Sequence, residues 1–284
     1  MGREQNRIDI MATLTFWGVR GSIAACGPEM IRHGGNTSCV SIEHEDCLVI
    51  LDAGTGIRKL GTRLLSQGRP GGIEASILLS HEHWDHIQGL PFFAPAFSTG
   101  HRLVIYGEPK DRSLEELIRN QMQAPYFPIA LDAFEASIRF VEVGPGQEIR
   151  LGEGVRATTH RLNHPNGALG YLLHVDGKRV AYVTDHEHEP GRLSPEVLEM
   201  ARGADILIHD SQYNRDLLQR DRAGWGHSAW EDVVDLAIEA RVKTLFLFHH
   251  DPDADDEELD DRLARACERF PATRMAREGL TVRF

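Results

Sequence analysis

The chain has 284 residues, 31 Lys and Arg against 43 Asp and Glu, and a formal charge of −12. Its 41% hydrophobic and 26% charged residues are the balance of a soluble globular protein and exclude an unstructured chain, while no apolar run approaches the ~20 residues of a membrane span. The acid excess disfavours long nucleic acid as a partner, because grip on a polyphosphate backbone comes from Lys and Arg.

Residues 1–10 are polar and mixed in charge, without the apolar region of a secretory signal. Residues 1–11 therefore read as a loose extension, and the cytoplasm as the expected compartment. Short β-rich runs follow at 13–17, 38–43, 47–51, 75–80, 102–106, 155–160, 169–175, 179–184, 205–209 and 243–248. Between them, apolar residues recur at helical spacing: Ile57, Leu60, Leu64 and Leu65; Leu114, Leu117, Ile118 and Met122; Trp230, Val233, Val234 and Ala237; Leu259, Leu263, Ala266 and Phe270. Ser228 with Glu231 three residues on has the pattern of a capping box and predicts a helix start there. The acidic run from Asp253 to Asp261 fits the first turns of the last helix, where carboxylates complement the dipole. No Gly/Ser-rich linker or short repeat divides the chain, so one domain over 12–284 is expected. Residues 107–140 interrupt the β pattern with one amphipathic helix and the stretch Ala124-Pro-Tyr-Phe-Pro-Ile129. This segment reads as an insertion: a lid, a dimer contact, hence a homodimer, or simply a packed excursion.

The four cysteines, Cys26, Cys39, Cys47 and Cys267, form no CxxC pair, which argues against a disulfide framework or a thiolate zinc site. Histidine is the unusual component. Protonating all 15 would carry the formal charge from −12 to +3, and many histidines among many carboxylates point to borderline or hard metal ions.

The densest concentration is His81-Glu-His83-Trp-Asp85-His86, directly after the apolar run Ala75–Ser80. Residues two apart on an extended chain share a side, so His81 and His83 can converge on one ion. Asp85 and His86 lie past the strand end, where a turn can aim them at a neighbouring one. Imidazole and carboxylate suit Zn²⁺, Mn²⁺ or Fe. Other predicted strands also terminate in such groups: 179–184 runs into Asp185, 205–208 into His209 and Asp210, and 244–248 into His249 and His250, while His164 precedes the strand at 169–173. Ligands at strand ends are held by rigid elements. Asp52, at a strand end before a Gly-rich turn, either orients the histidine cluster from behind or serves as a turn residue.

In order and type of residue, His81-x-His83-x-Asp85-His86, His164, Asp185 and His249 resemble the metallo-β-lactamase superfamily, as do the loops Leu51-Asp52-Ala-Gly-Thr-Gly56 and Gly34-Gly-Asn-Thr-Ser38. The resemblance covers nearly the whole chain. It implies an α+β fold, a four-layer αββα sandwich, with a two-metal site along one edge. Many β-lactam-hydrolysing members place a Cys where Asp185 stands, and a carboxylate can bridge two cations. His209-Asp210-Ser-Gln-Tyr213 with Gly226-His227-Ser228 is similar to the phosphodiesterase branch, which includes tRNase Z and cyclic-nucleotide or cyclic-phosphate phosphodiesterases; that branch has Glu for Asp210 and Thr for Ala229. Matching its pattern puts His249 ahead of His250 as last ligand. His33, His160, His174, His186 and His188 fall outside the ligand set; the last two, flanking Asp185, read as serving hydrogen bonding or packing, with pocket lining as the alternative.

The resemblance thus implies two divalent ions, zinc before Mn²⁺ or Fe, one on His81, His83 and His164, the other on Asp85, His86 and His249, with Asp185 between them. It implies hydroxide as nucleophile, Asp85 as ligand and orienting group, and Asp210 steadying His227 as proton donor to the leaving oxygen. The dipole of a helix starting at Ser228 would favour phosphate beside His227. A small phosphodiester such as a cyclic nucleotide is the expected substrate. The alternatives are an RNA 3′-end nuclease, or a lactone, thioester or β-lactam metallohydrolase.

Overall fold

The computed structural model describes residues 11–284; apart from Met11, the extension expected at 1–11 lies outside the described residues. Two seven-stranded sheets face each other. The first is built from β1 (Thr13–Gly18), β2 (Cys39–His44), β3 (Cys47–Leu51), β4 (Glu74–Leu78), β5 (Arg102–Gly107), β6 (Ser137–Glu142) and β14 (Thr281–Arg283), in the order β14-β1-β2-β3-β4-β5-β6. The second runs β13-β12-β11-β10-β9-β8-β7, from β7 (Glu148–Gly152), β8 (Val155–Leu162), β9 (Ala168–Val175), β10 (Lys178–Val183), β11 (Ile206–Asp210), β12 (Leu245–Phe248) and β13 (Thr273–Met275). Both sheets are mixed. β3 to β6 are mutually parallel, as are β10 to β13.

The central strands are apolar on both faces because both are covered. Val49 and Leu51 of β3 and Ile206 and Ile208 of β11 point into the core between the sheets, with Phe16, Tyr171, Tyr182 and Phe248. Their neighbours point outward to helices. Leu48 and Ile50 meet α1 (Ile57–Ser66) and α3 (Leu114–Gln121), and Leu207, Leu245 and Leu247 meet α4 (Pro195–Ala201), α6 (Trp230–Glu239) and α7 (Asp256–Arg269). Helix, sheet, sheet and helix thus stack as the expected four layers. The short helices α2 (Trp84–Ile87) and α5 (Arg215–Leu217) complete the set of α elements.

Three local expectations are corrected. The segment 107–140 ends in a strand, β6, which pairs parallel with β5. Residues 108–136 are therefore the crossover that two parallel neighbours require, with α3 as its helix. Ser228 and Glu231 form no capping box: α6 begins at Trp230 behind Ala229 with no side-chain cap, Ser228 Oγ donates to the His186 carbonyl, and Glu231 accepts from the Arg215 amide. A capping box is formed instead at α3, between Ser113 and Glu116. Leu65 is 39% exposed and lies off the buried face of α1, which Gly61 fills instead.

The parallel strands β3, β4, β10, β11 and β12 all deliver their C-terminal ends to one edge of the sandwich, where open α/β sheets place their sites. Asp52 and His249, the first residues after β3 and β12, and Asp185, the second after β10, have φ of +59°, +57° and +46°. This left-handed conformation is unusual for residues other than glycine. It turns each side chain back over its strand end.

Candidate metal centre

The seven residues singled out as ligands meet in space. One nitrogen or oxygen each from His81, His83, His164 and Asp185 lies within 4.8 Å of the others, and the same holds for Asp85, His86, Asp185 and His249. Asp185 belongs to both groups and faces each with a different oxygen. Its Oδ1 is 3.2 Å from His86 Nε2 and 3.1 Å from His249 Nε2, and its Oδ2 is 3.5 Å from His81 Nε2 and 3.6 Å from His164 Nε2. Across each group the nitrogens crowd together, His83 Nδ1 to His164 Nε2 at 3.0 Å and His86 Nε2 to His249 Nε2 at 3.3 Å. Metal–nitrogen bonds of about 2.0–2.1 Å in a tetrahedron put ligand atoms roughly 3.3 Å apart.

The rings are locked from behind, so their tautomers can be read. His86 Nδ1 donates to Asp52 Oδ2 (2.8 Å), His164 Nδ1 to the Gly226 carbonyl (2.9 Å) and His249 Nδ1 to Gln212 Oε1 (3.0 Å). Ser80 Oγ donates to Asp52 (3.0 Å), which leaves its lone pairs for His81 Nδ1 at 3.1 Å. Each of these four rings therefore turns a bare Nε2 lone pair toward the cluster, the arrangement that orients imidazole for a metal. His81 Nε2 is buried without any hydrogen-bond partner. Facing lone pairs, an orphaned nitrogen and a straddling carboxylate are a donor set that fits divalent cations.

Electrostatics agree. Burial works against charge on Asp85 and Asp185, yet the surrounding histidines outweigh it and hold both carboxyls well below the usual range. Burial keeps His81 well below the usual imidazole value and takes His164 down to about 4, so both are neutral and able to coordinate. Burial alone would lower His86, but Asp85, Asp185 and Asp52 outweigh it and hold the ring well above the usual imidazole value: the carboxylates call for positive charge here, which a bound cation would supply in place of the proton. Asp52 also accepts from the Ser80 amide (2.7 Å) and the Tyr182 hydroxyl (2.7 Å), which settles it as the anchor of the histidine cluster.

Beside the cluster, His227 stacks on His249 with ring centres 5.1 Å apart. Its Nδ1 donates to Asp210 Oδ2 at 3.1 Å, leaving Nε2 free of that bond. Burial lowers the His227 pKa, but Asp210, with Asp185 and Asp85 beyond it, prevails and raises it to about 9. Asp210 is itself fixed by the amides of Gln212 and Ser228.

Other histidines fall elsewhere. His250 points away, donating to the Ala276 carbonyl (2.8 Å) beside His33. His186 accepts from the Asn163 amide and lies 3.1 Å from His188 Nδ1; both pack near His209 behind Asp185. Sequence reasoning named Gln212 only within a motif and left Ser80 and Tyr182 without a role. Each is recognisable only by the long-range partner it finds.

Comparison with known proteins places this geometry. The β-lactamase superfamily domain matches residues 48–250. The chain belongs to that superfamily. It is 24% identical over 273 residues to the ribonuclease Z of Methanopyrus kandleri, covering 85% of this chain and 89% of that one. A shorter match, 36% identical over 107 residues, joins it to the ribonuclease Z of Brevibacillus brevis, across 35% of this chain and 31% of the relative. Among solved structures, a diphosphatase from the PhnP family superposes with a TM-score of 0.71 at 21% identity, covering 96% of this chain and 98% of that one. As a superfamily member with this donor set, the chain takes a divalent metal. No helix among the described residues is long and apolar enough to cross a membrane.

Proposed function

We propose that the chain is a binuclear metal-dependent phosphodiesterase acting on a small diester, with zinc the first choice of ion and Mn²⁺ or Fe next. The observation that carries the reading is the Asp185 carboxylate, which offers one oxygen to each of two histidine groups. On this reading His81, His83 and His164 hold one ion, and Asp85, His86 and His249 the other. Two such ions would supply Lewis acidity for the phosphoryl oxygens and a water acidified toward neutrality.

The remaining work falls to side chains. His227, charged and braced by Asp210, presents Nε2 as proton donor to the departing oxygen. The stack on His249, with ring centres 5.1 Å apart, holds the His227 ring beside the cluster. Asp85 Oδ2 accepts from the Ser22 amide at 2.7 Å and touches His249 and His86, which fits it to orient the attacking water as well as to ligate.

A small diester needs only this machinery. A tRNA substrate needs a basic docking surface, and the crossover at 108–136 carries twice as many acidic as basic residues. The RNA 3′-end nuclease is retained as a second reading because the ribonuclease Z relative from Methanopyrus matches over most of both chains. Purified protein loaded with Zn²⁺ or Mn²⁺ is to be assayed in parallel on bis(p-nitrophenyl) phosphate, a cyclic nucleotide, a precursor tRNA, a lactone and a chromogenic cephalosporin. Diester cleavage supports the reading, and precursor tRNA cleavage without small-diester turnover moves it to the second. Turnover of the lactone or cephalosporin alone overturns both.

A further inference from the structure

Glu187 has no part in the chemistry above, yet it joins three of the loops that supply it. Its carboxylate accepts two main-chain amides, Gly224 N–H on Oε1 at 2.8 Å and Gly226 N–H on Oε2 at 2.7 Å. Its own main chain is paired to Asn163: the Glu187 amide donates to the Asn163 carbonyl (2.9 Å), and Asn163 Nδ2 donates to the Glu187 carbonyl (2.8 Å). One residue thus ties the turn carrying His164, the strand end carrying Asp185 and the turn that leads into His227.

The 224–226 turn has little else to hold it. Trp225 is 54% exposed; its amide donates to the Arg222 carbonyl (3.1 Å), and the Arg222 guanidinium lies over its ring at 4.5 Å. Gly226 has φ +87°, and a Cβ there would run into His164 and Pro165, so its backbone lies directly against the His164 ring. Its carbonyl is the acceptor that fixes His164 Nδ1–H, and the next residue is His227.

We infer that Glu187 is a positioning residue: by clamping the 224–226 turn through both carboxylate oxygens, it aims His164 Nε2 at the metal cluster and sets His227 beside it. The inference rests on the roles proposed above for His164 and His227. It makes a chemical distinction that a space-filling role does not. Glutamine has the same shape, but it offers one acceptor oxygen and turns an NH₂ group against the second amide. The isosteric variant should therefore fail where a purely packing residue would tolerate it.

The test compares Glu187→Gln and Glu187→Ala with Glu189→Gln, the control being an exposed neighbour paired only with Arg192. Zinc retention is measured by competition with a chromophoric chelator, alongside melting temperature and diester kinetics. Glu187→Gln should lose one of two zinc equivalents about 10–100-fold more readily than wild type, the usual effect of removing a group that orients a ligand. It should lower kcat with KM nearly unchanged, and Glu187→Ala should be no worse. Wild-type zinc retention in Glu187→Gln, with or without a fall in melting temperature, would overturn the inference. Should Glu187→Gln fail to fold, Glu187→Asp, which keeps both oxygens on a shorter stem, is read in its place. Intermediate zinc release then supports the inference and wild-type retention sinks it. The chelator measurement needs no substrate, so a protein that cleaves no diester would count against the phosphodiesterase reading while leaving Glu187 decidable.

Discussion

The first sheet delivers His81, His83, Asp85 and His86 in one six-residue stretch beyond β4, whereas the second delivers His164, Asp185, Asp210, His227 and His249 from five separate segments. Behind the first group stands one hub, Asp52, which collects the Ser80 amide and hydroxyl, His86 and the Tyr182 hydroxyl. Behind the second are scattered supports: Gly226 for His164, Gln212 for His249, and backbone amides for Asp210. A local motif concentrates its risk in one anchor. A dispersed one spreads it over contacts that only the complete fold assembles.

Removing the shared group should erase that difference. Asp185→Asn should release metal from both sides and abolish turnover, as read by elemental analysis and a diester assay. Metal retained at both sites with normal activity would deny Asp185 its bridging place. Next in size, His83→Ala should lose metal and activity together. His227→Ala, on the dispersed side, should keep its metal and slow turnover by roughly two to four orders of magnitude. A metal-loaded His227→Ala protein as fast as wild type would remove the proton-donor role.

The hub itself is tested by Asp52→Asn, which halves its acceptor capacity. Weakening of metal binding by about 10–100-fold is expected, larger than for Gln212→Ala, whose loss touches His249 alone. Equal effects in a chelator titration would show that the hub carries no more than a single support.

The smallest effect is expected where the two sheets are laced together. Glu108, just after β5, pairs with Arg161 on β8 and with Lys110. Burial raises its pKa, but those cations outweigh it and leave the carboxyl below its ordinary value. A depressed folded pKa contributes stability above the unfolded value, near 4.5, and that stability is lost as pH falls through the folded one. Glu108→Gln should therefore cost up to about 1 kcal/mol in urea unfolding at pH 7, and nothing once the pH is well below 4.

The dense group was legible because its spacing is local, and the dispersed residues because each follows a strongly apolar strand. What stayed hidden depends on partners far away in sequence. Glu187 meets Gly224 and Gly226 only once the β10–β11 crossover has been made, and Tyr182 reaches Asp52 across the inter-sheet core. Ser228 and Glu231 carry a true capping pattern, but tertiary partners at His186 and Arg215 captured both side chains. β6, β7, β13 and β14 went unread. Two of them are three residues long, and β6 and β7 are partly exposed edge strands whose alternation, Ile138 with Phe140 and Ile149 with Leu151, spans only two apolar positions each.

The backbone twist at Asp52, Asp185 and His249 has one more consequence. A left-handed residue other than glycine is held against its own preference at about 1–3 kcal/mol where strain of this kind is stored, and here three such residues are the hub, the bridge and a ligand. An engineer screening for heat tolerance alone would find glycine attractive at all three, and would harvest a sturdier shell with its working parts removed.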